Sequence, residues 1–377
     1  MSTVLGGASS HDAIAINRTT QYSRVVVTRY GGPEVLEVRE ESPPEPKPGE
    51  VRVRVVAAGV SLPDVMMREG IHPETPRVPF TPGWDLVGVV DRLGEGVAEV
   101  ELGQIVAALP IHGAYAQLVC LPQRAVVPVP SGLDPGEAVS LVLNYVTAYQ
   151  MLHRSAKVKP GQRVLIHGAS GGVGTALLQL GRLAQLEMYG TCSSRTMSTV
   201  SDLGGVPIDY EHTDVVSEIR RLTTDGVDVV FDSLGGRAIW QSRTALRRGG
   251  KVIAYGLTAS LDRGRVVSRR QGGRHRFRAI AIFGWYIAAS FLLPGRKRVV
   301  PYSVQTLMRL KPAFFRQDLM ALFELLRQGK VRPLIAARLP LAEARHAHEL
   351  LGQGAVRGKI VLLCDGRVAE PGTGEGS

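Results

Sequence analysis

The stretch "RVLIHGASGGVGTALLQL", Arg163–Leu180, decides the fold. An apolar run typical of a buried strand leads into a glycine-rich turn, and apolar residues at helical spacing follow it. The turn has the form A-x-G-x-x-G, whose glycines allow a tight bend and a close approach of the backbone to a pyrophosphate. Free N–H groups at the start of the following helix suit an anion. We therefore predict that a dinucleotide is bound by Ala169, Gly171, Gly172, Val173 and Gly174.

Strand and helix patterns alternate around this turn. The predicted strands are Arg163–His167, Glu187–Cys192, Val206–Ile208, Val227–Phe231 and Lys251–Tyr255. Helical patterns separate them, and each parallel connection needs such a crossover. The region is therefore predicted to be a doubly wound parallel sheet with helices on both faces.

The chain on either side of this region follows different patterns. Residues Ser23–Cys120 form short, alternating apolar runs between Gly/Pro turns, which predicts a β-rich, barrel-like domain. Helices Asp318–Gln328 and Leu341–Leu351 and strand Lys359–Cys364 do not continue the strand-helix alternation. We expect them to return to the first domain. The fold class is thus α/β, with flexible tails at 1–22 and 367–377, a β-rich domain at 23–147 and 318–366, and an inserted nucleotide domain at 148–317.

Composition narrows the cellular context. The three cysteines lie far apart and form no Cys-x-x-Cys, which argues against a disulfide framework and a thiolate zinc site and favours the cytoplasm. The net charge is +11, and ten Lys/Arg lie within Asp262–Arg298. This basic segment surrounds the apolar run Ala279–Leu293, whose 15 residues fall short of the roughly 20 needed to span a bilayer.

Two interpretations of the basic segment stay open: a solvated loop around a buried element, which we favour, and a membrane-surface or phosphate contact. Sequence-specific binding to nucleic acid is not expected, because the basic residues lack interleaved stacking aromatics.

The end of the second predicted strand distinguishes between cofactors. An NAD enzyme places an Asp or Glu about 20 residues after the glycine turn, on the ribose hydroxyls. This chain has "CSSRT" there, with no carboxylate. Ser194 can donate a hydrogen bond and Arg195 can pair with a 2′-phosphate, so we expect NADPH to be preferred over NADH.

Further motifs carry a resemblance to a known family. They are "PFTPGWDLVGVVDRLGEGV", "LVLNYVTAYQML", "PIDY" followed by "TDVVSEIRRL", "GVDVVFDSLGG" and "GGKVIAYG". With these motifs the chain resembles the medium-chain dehydrogenase/reductase superfamily, and within it the zinc-independent quinone oxidoreductase branch that includes vesicle amine transport protein-like members. The likeness extends over roughly Ser23–Cys364.

The resemblance implies a GroES-like catalytic domain, a Rossmann domain, an active site in the cleft between them, and a homodimer. It also implies that Tyr210 joins Ser194 and Arg195 at the adenosine 2′-phosphate. Thr147 would hold the nicotinamide side, and Ser233, Leu234 and Gly256 would line the cofactor. Tyr210 at the edge of a core and Thr147 bonding its own backbone are the plainer alternatives.

Zinc-dependent members of the superfamily resemble one another in metal-binding positions that this chain fills with Ser61, Trp84 and Asp85. Three or four converging N, S or O ligands are needed for zinc, so no metal is predicted. His72 stands where relatives carry a tyrosine that looks like a proton donor, and an imidazole titrates closer to neutral pH than a phenol. Ser61 and Asp64 are the other catalytic candidates, although an aspartate beside a turn often only bonds backbone N–H groups.

These observations favour an NADPH-dependent reductase of quinones or α,β-unsaturated carbonyl compounds. Such conjugated acceptors need no metal to polarise a carbonyl, since their charge spreads over a delocalised system. Two alternatives remain open. One is an enoyl-thioester reductase of a biosynthetic pathway, and the other is a non-catalytic NADPH-binding protein that docks on a membrane or on RNA through its basic loop.

Overall fold

A computed structural model describes residues 21–236, 238–256, 297–354 and 356–364. Nearly all of the two predicted tails and most of the basic segment, including Ala279–Leu293, lie outside these residues. Among the described residues, no helix combines the length and apolar character that crossing a membrane requires.

The first part of the chain folds into mainly antiparallel strands. They are β1 (Tyr22–Val27), β2 (Leu36–Glu41), β3 (Glu50–Val60), β4 (Leu86–Leu93), β5 (Ile105–Ala108), β6 (Leu118–Pro122) and β7 (Val126–Pro128), with helix α1 (Leu62–Arg68) after β3. β1 pairs with β2, while β3 pairs with both β4 and β6. The sheet continues through β5 to β7.

A long helical segment connects this sheet to the nucleotide region. It contains α2 (Pro135–Ser140) and α3 (Val146–Tyr149), joined and extended by π-helical turns at Leu141–Tyr145 and Gln150–Ala156. The Asp134 side chain caps its start by accepting the N–H of Glu137 at 2.8 Å. The segment ends at Lys157, which has a left-handed φ of 51°. The boundary predicted between residues 147 and 148 therefore falls inside a continuous helix.

The nucleotide region contains a six-stranded parallel sheet. Its elements are β8 (Arg163–Ile166), α4 (Gly172–Leu183), β9 (Glu187–Cys192), α5 (Met197–Asp202), β10 (Val206–Asp209), α6 (Val215–Thr223), β11 (Val227–Asp232), α7 (Ala238–Ala245), β12 (Leu246–Ala254) and β13 (Arg298–Pro301). The strand order is β10-β9-β8-β11-β12-β13. The winding direction changes between β8 and β11, and ligands of such sheets bind outside the strand ends at this switch point.

Burial shows that both faces of the parallel sheet are covered. Val164 and Ile166 on β8 belong to one hydrophobic core, while Leu165 between them belongs to a second core. On β11, Phe231 joins the first core and Val230 the second. Successive side chains of a strand point to opposite faces, so each face is packed against helices. The predicted fold class is confirmed.

The end of the chain returns to the first sheet. Its elements are α8 (Val304–Leu310), α9 (Pro312–Arg327), β14 (Ile335–Pro340), α10 (Ala344–Gly352) and β15 (Lys359–Leu363). β15 pairs antiparallel with β3 and parallel with β14. Helix α9 begins at Pro312, earlier than the predicted Asp318, because proline suits the first helical turn. The Asp318 carboxylate instead binds Arg154 at 2.6 Å and Gln150 at 2.8 Å, joining α9 to the long helical segment.

Gly174 allows helix α4 to pack closely on its own turn. A Cβ at this position would stand 2.6 Å from the Ala169 Cα and would also collide with the Gly168 carbonyl oxygen. We expect Gly174→Ala to lower the free energy of unfolding by about 1–3 kcal/mol, the typical cost of overpacking. Urea unfolding of the purified protein measures this change. Gly171→Ala is the matched control, because its Cβ would lie 3.4 Å from the Gly168 oxygen and should change stability little. Equal losses in the two variants would contradict this account.

Candidate active site and cofactor cleft

A large cavity of about 1660 Å³ runs along the cleft between the parallel sheet and the mainly antiparallel sheet. Ligand pockets for drug-sized molecules typically measure roughly 300–1,000 Å³, so this cavity has room for a dinucleotide and a second molecule. The predicted site residues that line it are Ser61, His72, Thr147, Gly171, Gly172, Val173, Gly174, Tyr210, Ser233, Leu234 and Gly256. Residues from both parts of the chain thus meet in one cavity.

The glycine turn fits a dinucleotide pyrophosphate. It follows β8 at the switch point of the parallel sheet, and α4 begins directly at Gly172. A Cβ on Gly172 would collide with the Asn144 side-chain amide, so the turn and the long helical segment approach more closely than any other residue would allow. Ala169 is fully buried behind the turn, where its N–H donates to the Thr191 carbonyl at 2.9 Å. Ala169 shapes the turn and does not line the cavity.

The residues predicted to hold the 2′-phosphate lie at one end of the cavity. Tyr210 lines it and is half exposed, while Ser194 and Arg195 are exposed on the turn that follows the lining residue Ser193. The Ser194 hydroxyl donates to the Asp209 carboxylate at 2.6 Å. Asp209 was not predicted from the sequence, because it ends β10 and belongs to a different strand from the one where NAD enzymes carry their acid.

Hydrogen bonds keep the Asp209 carboxylate ionised. The hydrogen bonds from Ser194 and His212 lower the pKa of Asp209 to about 2. The hydrogen bond to Asp209 in turn raises the pKa of His212. A second guanidinium also reaches this turn, since Arg357 donates to the Arg195 carbonyl at 2.7 Å. Nothing in the local sequence signals this contact, because it joins residues 162 positions apart. The charged groups at this end therefore include the Asp209 carboxylate and the guanidinium groups of Arg195 and Arg357.

The other residues predicted to contact the cofactor lie at the switch point or beside it. The Ser233 hydroxyl donates to the His167 carbonyl at 3.2 Å, and the Leu234 N–H donates to Asp232 at 2.9 Å. A Cβ on Gly256 would stand 2.8 Å from the Ser233 carbonyl carbon, so glycine permits the close approach of these two turns. Thr147 is buried in the long helical segment and lines the cavity.

His72 lines the cavity beside Trp84. The two rings are 5.3 Å apart and meet edge to face at 82°. The His72 Nδ1 accepts the N–H of Glu74 at 3.2 Å. In the neutral imidazole one nitrogen accepts and the other carries the proton, so this contact places the ring proton on Nε2.

Ser61 and Asp64 form the capping box of α1. Ser61 is the N-cap, and its N–H donates to the Asp64 carboxylate at 2.9 Å. The other carboxylate oxygen accepts the Gly83 N–H at 2.9 Å. Burial raises the pKa of the Asp64 carboxyl to about 7. Ser61 lines the cavity, whereas Asp64 is fully buried behind it and holds the turn that carries Gly83 and Trp84.

Asp85 forms a buried ion pair. Its carboxylate lies 2.7 Å from the Lys359 Nζ, and the two side chains are 0% and 2% exposed. Removing one partner of such a pair leaves an uncompensated buried charge, so the pair fixes the loop after Trp84 against β15.

Several lining residues were not predicted from the sequence. Asn144, Tyr302, Gln305, His348 and Lys359 all face the cavity. His348 contacts the Tyr115 hydroxyl at 3.3 Å and the Arg68 guanidinium at 3.2 Å. Burial lowers the pKa of His348 to about 3, so its ring is neutral at physiological pH. These residues come from distant segments, and no local motif marks them.

One group of potential metal ligands occurs among the residues that the structure describes. Asp209, Glu211 and His212 bring a ligand atom each within 4.8 Å of one another, in the turn after β10. Two of the three are exposed, and exposed acidic groups of this kind are common without an ion.

Family models match both parts of the chain. A model described as alcohol dehydrogenase GroES-like domain matches residues 47–131, and one described as zinc-binding dehydrogenase matches residues 203–362. Together with the cleft between a β-rich domain and a Rossmann sheet, these matches define an oxidoreductase that uses a nicotinamide cofactor.

Curated relatives narrow the family. The synaptic vesicle membrane protein VAT-1 homolog of Danio rerio is 33% identical over 355 residues, which are 92% of this chain and 71% of that protein. The quinone oxidoreductase of Homo sapiens is 29% identical over 346 residues, 90% of this chain and 97% of that protein.

Solved structures give the same result. The Escherichia coli quinone oxidoreductase, crystallised with NADPH, matches with a TM-score of 0.77 at 25% identity, over 90% of this chain and 99% of that one. The CurK enoyl reductase matches with a TM-score of 0.75 at 26% identity, over 91% and 99%. The chain belongs to the medium-chain dehydrogenase/reductase superfamily, in its zinc-independent quinone oxidoreductase branch, and the predicted resemblance is confirmed.

Proposed function

We propose that this protein is an NADPH-dependent reductase of quinones or α,β-unsaturated carbonyl compounds. One observation carries the proposal: the dinucleotide turn at the switch point of the parallel sheet and the His72–Trp84 pair of the other domain line the same cavity. A hydride acceptor beside His72 and Trp84 would thus share one cavity with the cofactor. Kinship with quinone oxidoreductases supports the same reaction class.

The reaction needs one hydride and one proton. Bound NADPH supplies the hydride, which carries two electrons to the acceptor, and the reduced acceptor then takes a proton on oxygen or on the α-carbon. We propose that the neutral His72 ring first takes a proton from solvent, and that the imidazolium so formed gives its proton to the reduced acceptor and returns to the neutral form. The Glu74 N–H, which is bonded to Nδ1, orients the neutral ring, and the Trp84 ring meets it edge to face.

The preference for NADPH is proposed to rest on Arg195, with Ser194 and Tyr210 beside it. A guanidinium can make charge-assisted hydrogen bonds to the 2′-phosphate. The Arg357 guanidinium, held against the Arg195 backbone, adds positive charge at this turn. The Asp209 carboxylate acts in the opposite direction, because a 2′-phosphate bonded to Ser194 would meet a like charge.

Oxidation of NADPH by a panel of acceptors tests the function. We expect turnover with duroquinone or with 2-cyclohexen-1-one, measured by the loss of NADPH absorbance, and much slower turnover with NADH. An enoyl thioester in the same panel separates the second candidate, an enoyl-thioester reductase, which the likeness to the CurK enoyl reductase favours. Tight NADPH binding without turnover of any acceptor would instead support a non-catalytic role.

Replacement of Arg195 tests the cofactor preference. We expect Arg195→Ala to weaken NADPH binding by about ten- to hundredfold, the worth of one hydrogen bond to a charged group, and to leave NADH affinity nearly unchanged. Asp209→Asn should strengthen NADPH binding, because it removes the like charge. Isothermal titration calorimetry with each dinucleotide measures both changes. Equal losses for NADPH and NADH in Arg195→Ala would show that this side chain does not select the 2′-phosphate.

Replacement of His72 tests the proton donor. We expect His72→Phe to lower kcat by about a hundredfold or more, the typical share of general acid catalysis, with NADPH affinity unchanged. The phenyl ring can keep the packing against Trp84. Stopped-flow turnover and NADPH titration measure the two quantities separately. His153→Phe serves as the control, because His153 is exposed and does not line the cavity. A kcat of His72→Phe close to that of the control would exclude His72 as the donor.

The homodimer and the cytoplasmic location stay predictions. The acceptor is proposed to be a small molecule, in keeping with the cavity and with the quinone oxidoreductase relatives.

A further inference from the structure

Two buried hydrogen-bond donors that line the cavity have no partner among the described residues. They are the Trp84 Nε1 and the Gln305 Nε2, on residues that are 3% and 7% exposed. The large majority of buried polar atoms in proteins are paired, and an exception in a native site calls for a functional explanation. Both residues line the candidate active site, so a bound molecule is the natural partner of their donors.

A series of neighbouring residues links Gln305 to Trp84 across the cavity. Gln305 and Arg309 are four residues apart on α8 and therefore lie on the same side of the helix. The Arg309 guanidinium lies 2.9 Å from the Glu74 carboxylate. Glu74 follows His72 by two residues, and the His72 ring packs against Trp84. Contacts thus connect Gln305, on the nucleotide side of the cleft, to the His72–Trp84 pair on the other side.

The chemistry of the two groups selects the ligand. An indole N–H donates only, and the Gln305 amide nitrogen also donates, so the ligand must present an acceptor. A carbonyl oxygen meets this requirement. When a quinone or an enone receives a hydride on carbon, negative charge grows on that oxygen, and donors already in place stabilise it without reorganisation.

We propose that the Trp84 Nε1–H and the Gln305 Nε2–H each donate a hydrogen bond to a carbonyl oxygen of the bound quinone or enone. The two residues bind the substrate and make the site specific for oxygen-bearing acceptors. This inference rests on the proposed function, because that function supplies the carbonyl group.

The unpaired donors should also affect the stability of the ligand-free protein, which a measurement of activity does not show. A buried amide without a partner destabilises the free protein, and an apolar side chain of similar shape removes that cost. Gln305→Met should therefore raise the Tm of the ligand-free protein or leave it unchanged, while it impairs the reaction. A glutamine with a purely structural role would show a lower Tm on the same replacement.

The experiment compares Gln305→Met and Trp84→Phe with the wild-type protein. Duroquinone is the quinone probe, because its fully substituted ring does not add to the free cysteines, and 2-cyclohexen-1-one is the enone probe. We expect kcat/KM to fall by about a hundred- to thousandfold in each variant, mainly through kcat, as for the loss of one oxyanion donor. Calorimetry with duroquinone in the presence of NADP⁺ should show weaker binding, and NADP⁺ affinity should not change.

Tyr145→Phe is the matched control. The Tyr145 hydroxyl is also buried and unpartnered among the described residues, but Tyr145 does not line the cavity. Its removal should leave both Tm and kcat/KM close to the wild-type values, so the comparison separates a donor in the cavity from a donor elsewhere.

The outcomes distinguish the inference from the proposed function. If the wild-type protein reduces either probe and the two variants match it, the inference is wrong and the function stands. A loss of kcat/KM that comes with a lower Tm in Gln305→Met would overturn the role of Gln305. If the wild-type protein turns over neither probe, the proposed function fails. In that case, duroquinone binding tests the proposed hydrogen bonds separately. If the wild-type protein binds duroquinone and both substitutions weaken the binding, the proposed hydrogen bonds stand. If the wild-type protein does not bind duroquinone, they are wrong.

Discussion

The cleft depends on two consecutive residues, Gly358 and Lys359, that hold its walls together. The Gly358 N–H donates at 3.0 Å to the carbonyl of Ser170, which lies in the glycine turn. Lys359 places its Nζ 2.7 Å from the Asp85 carboxylate in the other wall, with both side chains buried. A buried charge is costly unless it is paired, so the Lys359 ammonium group is held at the Asp85 carboxylate. The dinucleotide turn and the loop that carries Trp84 are thereby set relative to each other.

The sequence predicted the nucleotide region well and its connections less well. Strand β9 has the predicted bounds, and β8 and β11 differ from the prediction by one residue, because apolar runs between turn residues mark buried parallel strands. Strand β13 was not assigned, since four residues beside a basic segment carry little periodicity. The π-helical turns were also missed, because they depend on packing within the core. Local patterns therefore describe elements, and tertiary contacts decide where they join.

The residues of the candidate site also divide into those that a local motif marks and those that only tertiary contacts bring together. Candidate cofactor residues were assigned from the sequence because the glycine turn and the strand ends are contiguous in sequence and follow a general rule of doubly wound sheets. Asp64 was named as a catalytic candidate, although the spacing of Ser61 and Asp64 before an apolar run is itself the pattern of a capping box. Gln305 and Arg357 could not be found in this way, since only the folded chain brings them to the cavity and to the Arg195 turn.

The helical segment from Pro135 to Ala156 bears on how this protein can be recombined with its relatives. Its buried residues belong to the main hydrophobic core, and Asp318 binds its far end through Gln150 and Arg154. The nucleotide-binding half is therefore not a portable module. A chimera joined in the middle of this segment would divide one packed helix between two parents, whereas a joint in the turn before Pro135 would pass the whole helix to a single parent.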